Sequence, residues 1–184
     1  MRGKKGARHL DPYDPPRRRA NKHPGHGTYD NDRPPVFTVK GRQSGKLRCF
    51  VRESSGTRNC LEVVAACVGA STNAVNTDEW RGYARVESSI GISHRTVRHG
   101  YDADGRREWA RDDDGDGVRE VHCNGCEGAG AGLRTFLRVF RGVHKEHLAE
   151  YVATFETMTN AKRITGEVLR RMCFGQDTAL SGNT

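Results

Sequence analysis

Hydrophobic and polar positions divide the chain into an N-terminal stretch without pattern, a middle of short alternating or apolar runs, and a C-terminal third with helical stripes. Residues 1–35 hold all six prolines and the run PPRRRANKHPGHG, with too few apolar side chains for a core. From Val36 the texture changes. Val36–Lys40 alternates weakly and predicts a strand. Leu47–Arg52 predicts a second, joined to the first by a glycine-containing turn. Cys60–Val68 (CLEVVAACV) is an apolar run long enough for a two-turn helix. Thr72–Thr77 reads as a short strand ending at Asp78, and Glu79–Tyr83 as the start of a helical turn. Ser93–Arg98, Arg107–Arg111 and Val118–Cys123 are further strand candidates. Leu133, Phe136, Leu137 and Phe140 fall at i, i+3, i+4 and i+7, the stripe of an amphipathic helix, and Leu148, Tyr151, Val152 and Phe155 repeat it. Gly142 separates the two stripes, and a third short helix is expected over Thr165–Cys173.

Strands followed by helices predict a mixed α/β domain. It is expected over residues 36–175, between a basic arm (1–35) and a disordered tail (176–184). No internal repeat is visible.

Charge adds a partner class. Lys and Arg number 31 against 23 Asp and Glu, giving a formal charge of +8. Such an excess favours polyanions, nucleic acid first. Arg17, Arg18, Arg19 and Lys22 could follow a phosphate backbone; a solvated tail reads equally well there. No stretch approaches the roughly 20 apolar residues of a membrane helix. The first residues are basic without an apolar signal core, so a cytoplasmic protein with reduced thiols is expected.

Phosphoryl transfer with two metal ions needs converging carboxylates, because hard cations prefer oxygen ligands. Asp78, at a predicted strand's end, and Glu127, at the start of a predicted helix, suit that role. On a helix at about 100° per residue, Arg134 falls only about 20° from Glu127, and both lie off the apolar stripe. The pair could hold a metal and a DNA phosphate, or form an ordinary solvated face.

The segments TDEWRGY, EWARDDDGDGVREVH, HCNGCEG, LRTFLRVFRGVHKEHLAEYVATFE and NAKR carry a family likeness. The chain resembles the ISXO-two-like transposase domain of DDE-type insertion-sequence transposases. Relatives carry an H-x-N-x-x-E-G box, then a basic residue, then G-x-H-K-x-x-L-x-x-Y. Here these positions are His122, Asn124, Glu127, Gly128, Arg134, Gly142, His144, Lys145, Leu148 and Tyr151. The arm also resembles a linker of one branch.

The resemblance implies an RNase H-like mixed sheet with C-terminal helices, Mg²⁺ as cofactor, DNA ends and target DNA as partners, and room for a homo-oligomer. Asp78 would be the second acidic position. Asn124 and Glu127 compete for the third, and a carboxylate neutralises a metal better than an amide does. The implied metal ligands are therefore Asp78 and Glu127. Arg134 and Lys145 would contact DNA, Arg134 standing where many relatives carry lysine.

The pattern breaks at the first catalytic aspartate, which relatives carry in a D-E-x-Y strand. That segment is missing, so a truncated copy lacking the first, central strand is expected. Asp11 and Asp14 are poor substitutes in a proline-bound loop. A non-catalytic DNA-binding remnant is the alternative reading, and a translated relic the third. The glycines of GAGAG (128–132) predict a loose or late-starting helix, at roughly 1 kcal/mol each relative to alanine.

Other motifs carry less. DDDGDG (112–117) begins like a calcium loop, but its twelfth position is Cys123 rather than glutamate, so an acidic turn between two strands is preferred. Cys123 and Cys126 form a lone C-x-x-C without a second pair for zinc, and read as small core or linker thiols. His144 and His147 read as surface residues. Trp80 and Trp109 are expected in the core.

Overall fold

The computed structural model describes residues 27–161 except Asn31, Asp102, Ala103 and Arg106, together with Gly166, Arg170 and Cys173. Asp11, Asp14, Arg17, Arg18, Arg19 and Lys22 of the arm lie outside the described residues. So do most of the helix expected over 165–173 and the whole 176–184 tail.

The fold is mixed α/β, with two small sheets and C-terminal helices. Strand β1 (Val36–Lys40) pairs antiparallel with β2 (Leu47–Val51), with Thr38 opposite Cys49. Helix α1 (Thr57–Ala65) follows. Strand β3 (Ala74–Asp78) then runs parallel to β4 (Ser93–Val97), with Asp78 opposite Val97. A 3-10 turn (Arg81–Tyr83) and the short α2 (Val86–Ile90) connect β3 to β4. Helices α3 (Asn124–Val139) and α4 (Leu148–Asn160) complete the described chain. Among the described residues no helix is long and apolar enough to cross a membrane.

Two core clusters meet on α1. Cys60 and Val63 pack with Phe37, Val39 and Phe50 of the first sheet. Val64 packs with Val86 and Ile92, with Val75 of β3 against them. Tyr83 touches both clusters. The helix starts three residues before the apolar run that predicted it. Thr57, Arg58 and Asn59 supply its polar first turn, and Arg58 reaches Glu62 at 2.9 Å. It ends at Ala65 because the Cys67 and Val68 amides both turn back to the Val64 carbonyl.

The outer edge of β2 is covered by side chains. The Leu47 amide donates to Asn160 Oδ1 at 2.8 Å, the Cys49 amide donates to Glu156 Oε2 at 2.6 Å, and Asn160 Nδ2 donates to the Leu47 carbonyl. Helix α4 thus satisfies polar groups that would otherwise invite another strand.

Three expectations need correction. The segments 107–111 and 118–123 form isolated bridges, Tyr101 with Arg107 and Arg111 with Val121, rather than continuous strands. Aspartates take over the backbone there: Asp112 accepts the Gly115 and Gly117 amides, and Asp116 accepts the Val118 amide. Such local bonds compete with ladder formation. Helix α3 starts at Asn124 and runs unbroken through the glycines. A Cβ on Gly132 would lie 3.3 Å from the Phe155 ring, so glycine lets α4 press against the α3 backbone. Phe136 joins that seam with Phe155, and Phe140 with Tyr151. Finally, Trp109 is half exposed, whereas Trp80 does pack against the first cluster.

Two stability predictions follow from this packing. Val63 is 1% exposed, and Val63→Ala is expected to cost about 2 kcal/mol from lost methyl burial and the cavity left behind. A lowered urea midpoint at unchanged slope would show it. A Cβ on Gly82 would sit 2.4 Å from Cys60 Sγ and 2.8 Å from the Ser55 carbonyl. Gly82→Ala is therefore expected to destabilise by about 1–3 kcal/mol through overpacking, and a melting temperature equal to wild type would refute it.

Candidate acidic site

Asp78 is the last residue of β3, and its exposed side chain stands at the strand's C-terminal end. Its Oδ1 accepts the Trp80 amide at 3.1 Å. Trp80 is fixed in turn, since its indole Nε1 donates to the Ser55 carbonyl at 2.7 Å. The turn carrying Asp78 is thus tied to the loop before α1.

Parallel pairing brings a second group to the same end of the sheet. Asp78 lies opposite Val97, so the chain leaving β4 passes beside it. Two residues on, His99 Nδ1 lies 3.1 Å from Glu127 Oε1. The His99 ring stands edge-on to Trp109, 5.4 Å between centroids. Among the described residues its buried Nε2 has no hydrogen-bond partner. His99 was not anticipated from sequence. The available signal was its distance past the β4 strand, which becomes meaningful only once β3 and β4 are known to run parallel.

Glu127 occupies the first turn of α3, where a negative charge faces the positive end of the helix dipole. Asn124 is the first residue of that helix and is exposed. Arg134 is exposed too, with Nη1 3.5 Å from the point a Cβ on Gly130 would occupy. Its guanidinium therefore folds back along α3 toward the turn holding Glu127. Lys145 is engaged elsewhere: Nζ reaches Asp32 Oδ1 and the Tyr29 carbonyl, each at 3.0 Å, and lies over the Tyr29 ring.

Asp78 and Glu127 both add to the negative field at one buried thiol, Cys123. The Cys123 thiol is pushed up to about 12, by burial first and then by Cys126, Asp78 and Glu127. Burial likewise raises the Cys126 thiol. These thiols stay neutral at physiological pH, which agrees with small packed cysteines.

The site offers two hard oxygen donors. Carboxylate oxygens are the donors that a divalent cation such as Mg²⁺ prefers. Elsewhere among the described residues, Asp112, Asp114 and Asp116 bring ligand oxygens within 4.8 Å of one another. Backbone amides of Gly117 and Gly115 already hold Asp112 below the usual carboxylate range. His144 and His147 are exposed, as expected of surface residues.

Alkylation offers a check on this geometry. Raising a thiol from 9.0 to about 12 leaves about a thousandfold less thiolate at pH 8. Cys123 is expected to react with iodoacetamide far more slowly than a free cysteine, and faster as pH rises. Asp78→Asn and Glu127→Gln should each speed that reaction by removing a negative charge. Rates unchanged in both variants would place the carboxylates away from the sulfur.

Comparison with known proteins agrees with this arrangement of motifs. The family model described as ISXO2-like transposase domain matches residues 8–160. A protein of Halobacterium salinarum, described as an uncharacterized protein in transposable element ISH50, is 28% identical over 144 residues. The match covers 78% of this chain and 44% of that protein, so the chain spans less than half of its relative's length. No solved structure matches. With the family model covering most of the chain, this protein belongs to the ISXO2-like transposase domain family.

Proposed function

We propose that the chain is the catalytic region of an insertion-sequence transposase that acts on DNA by metal-dependent end cleavage and strand transfer. The observation that carries this reading is the match of the ISXO2-like transposase domain to residues 8–160, which takes in both the Asp78 and the Glu127 motifs. In the proposed reaction water attacks a phosphodiester at the element's end and the 3′ oxygen leaves. That 3′ hydroxyl then attacks target DNA in a second displacement. Bound Mg²⁺ would supply Lewis-acid stabilisation of the attacking and leaving oxygens.

The residues have separate tasks in this scheme. Asp78 and Glu127 are metal ligands, with Asn124 an exposed neighbour of Glu127 in the same turn. His99 fixes the Glu127 carboxylate through Nδ1. Arg134 lies along α3 where it can meet a phosphate. Arg17, Arg18, Arg19 and Lys22 of the arm are proposed backbone contacts for DNA. Lys145, held by Asp32 and Tyr29, would act on DNA only after leaving those partners.

The sheet arrangement supports an RNase H-like reading. An antiparallel ladder and a parallel ladder, each two strands wide, would become one mixed sheet with one further strand between β1 and β3. That strand and the first acidic position are not among the described residues.

A second reading keeps DNA binding without catalysis. It is favoured by the charge of +8. It predicts duplex affinity that falls steeply between low and physiological salt.

Mn²⁺ binding, followed by electron paramagnetic resonance in an Asp114→Asn/Asp116→Asn background, tests the metal assignment. Asp78→Asn and Glu127→Gln are each expected to weaken binding by about tenfold or more. In a protein that also carries the first aspartate and cleaves its element's ends in Mg²⁺, Asp78→Ala should reduce cleavage at least about a hundredfold. Metal affinity and cleavage that ignore both positions would remove them from the site.

A further inference from the structure

We infer that Tyr101, Arg107 and Trp109 form a stacking platform for an unpaired base of a DNA strand, placed beside the acidic site. The inference rests on the DNA-transposition reading and adds a binding site to it. Tyr101 is 64% exposed and Trp109 50% exposed, unusual for large aromatic side chains. They are not scattered: an antiparallel bridge joins Tyr101 to Arg107, two residues before Trp109. The Arg107 guanidinium carbon lies 4.2 Å from the Tyr101 ring centroid and 5.6 Å from that of Trp109. One cation thus sits against two rings.

Hydrophobic burial does not account for this cluster, because both rings remain in solvent. Stacking chemistry does. Arginine over one face of Tyr101, with the ring still largely exposed, leaves the opposite face open for a flat partner. Every base presents such a face, and base–aromatic stacking tolerates sequence. A guanidinium stacked on a ring keeps its N–H groups in its own plane, where a phosphate can accept them. A platform of two rings and one guanidinium therefore matches a base together with its phosphate. The net charge of +8 favours the same ligand.

Position ties the platform to the site. Trp109 is in ring contact with His99, and His99 holds Glu127 at 3.1 Å. One imidazole separates the indole from the carboxylate. A base lifted from the duplex onto Trp109 would bring its strand to the metal ligands. Paired bases are stacked inside the helix and cannot present a face, so the platform selects unpaired over paired DNA.

The 184-residue chain is suited to the test as it stands. Its two tryptophans are Trp80 and Trp109, so subtracting the fluorescence of Trp109→Phe isolates the exposed one. A single-stranded oligonucleotide is expected to quench that signal more than a duplex of the same sequence. Trp109→Ala should weaken single-strand binding by about fivefold or more and duplex binding less. Trp109→Phe, which keeps a ring, should recover most of the loss. Tyr101→Ala provides an independent variant whose loss should follow the same order. If duplex DNA binds and both alanine variants hold single strands within about twofold of wild type, the platform is wrong while the transposase reading stands. If neither form of DNA binds, both fall.

Discussion

Helix α1 must be buried from two directions at once, and the rest of the described structure depends on that demand. Among the described residues, the β1–β2 and β3–β4 ladders share no backbone pairing. Val63 and Cys60 face the first ladder, while Val64, one residue on, packs in the cluster that includes Val75 of the second. Adjacent helix positions point about 100° apart, which lets one short helix bind two layers. The acidic site inherits this construction. Glu127 is carried by α3, whose first turn meets β1 where Thr38 Oγ1 donates to the Cys126 carbonyl and Gly125 lies against Lys40. Asp78 belongs to β3. The route from one carboxylate to the other runs through α3, β1, α1 and β3, so its spacing is as firm as the packing on α1.

Glu120 adds a second tie. Its carbonyl accepts from Arg42, in the β1–β2 turn, and from Asn76 of β3 at 3.1 Å. Its carboxylate Oε1 accepts from Arg95 of β4 and from the Asp113 amide. One residue thus stitches both ladders to the acidic loop. Polar bonds of this kind are worth about 0.5–1.5 kcal/mol each. They complement the apolar contacts of α1 by fixing orientation, which a non-directional hydrophobic contact leaves loose.

Sequence pattern was most informative where one periodicity governed a whole element. Val36–Lys40 was legible to the residue, and Leu47–Arg52 nearly so, because each is a short run containing β-branched and aromatic residues and bounded by a glycine-containing turn. The stripes at Leu133–Phe140 and Leu148–Phe155 predicted α3 and α4 for the equivalent helical reason. Legibility failed where side chains compete for the backbone, as Asp112 and Asp116 do, and where a defect is compensated by a distant neighbour. The α3 glycines look like helix breakers until Phe155 is seen against Gly132. Trp109 misled because aromatic content alone does not distinguish a core ring from an exposed one. Asp78 and Glu127 were singled out chiefly through family resemblance, and the place of His99 required the parallel register of β3 and β4.

The two family-motif carboxylates, Asp78 and Glu127, each have a neighbour on one oxygen. Asp78 Oδ1 accepts the Trp80 amide, and Glu127 Oε1 lies 3.1 Å from His99 Nδ1. Among the described residues this leaves Asp78 Oδ2 and Glu127 Oε2 for other ligands. The group both carboxylates act on is a thiol, and their own fields help keep Cys123 protonated and uncharged. A cationic side chain at that position would offset the negative field of the two carboxylates. An ionised thiol would add a third charge and a soft donor suited to zinc. A neutral thiol does neither, so the local field stays negative and the accessible donors remain hard oxygens. Burial of Cys123 and charge on its neighbours push the same proton equilibrium in the same direction.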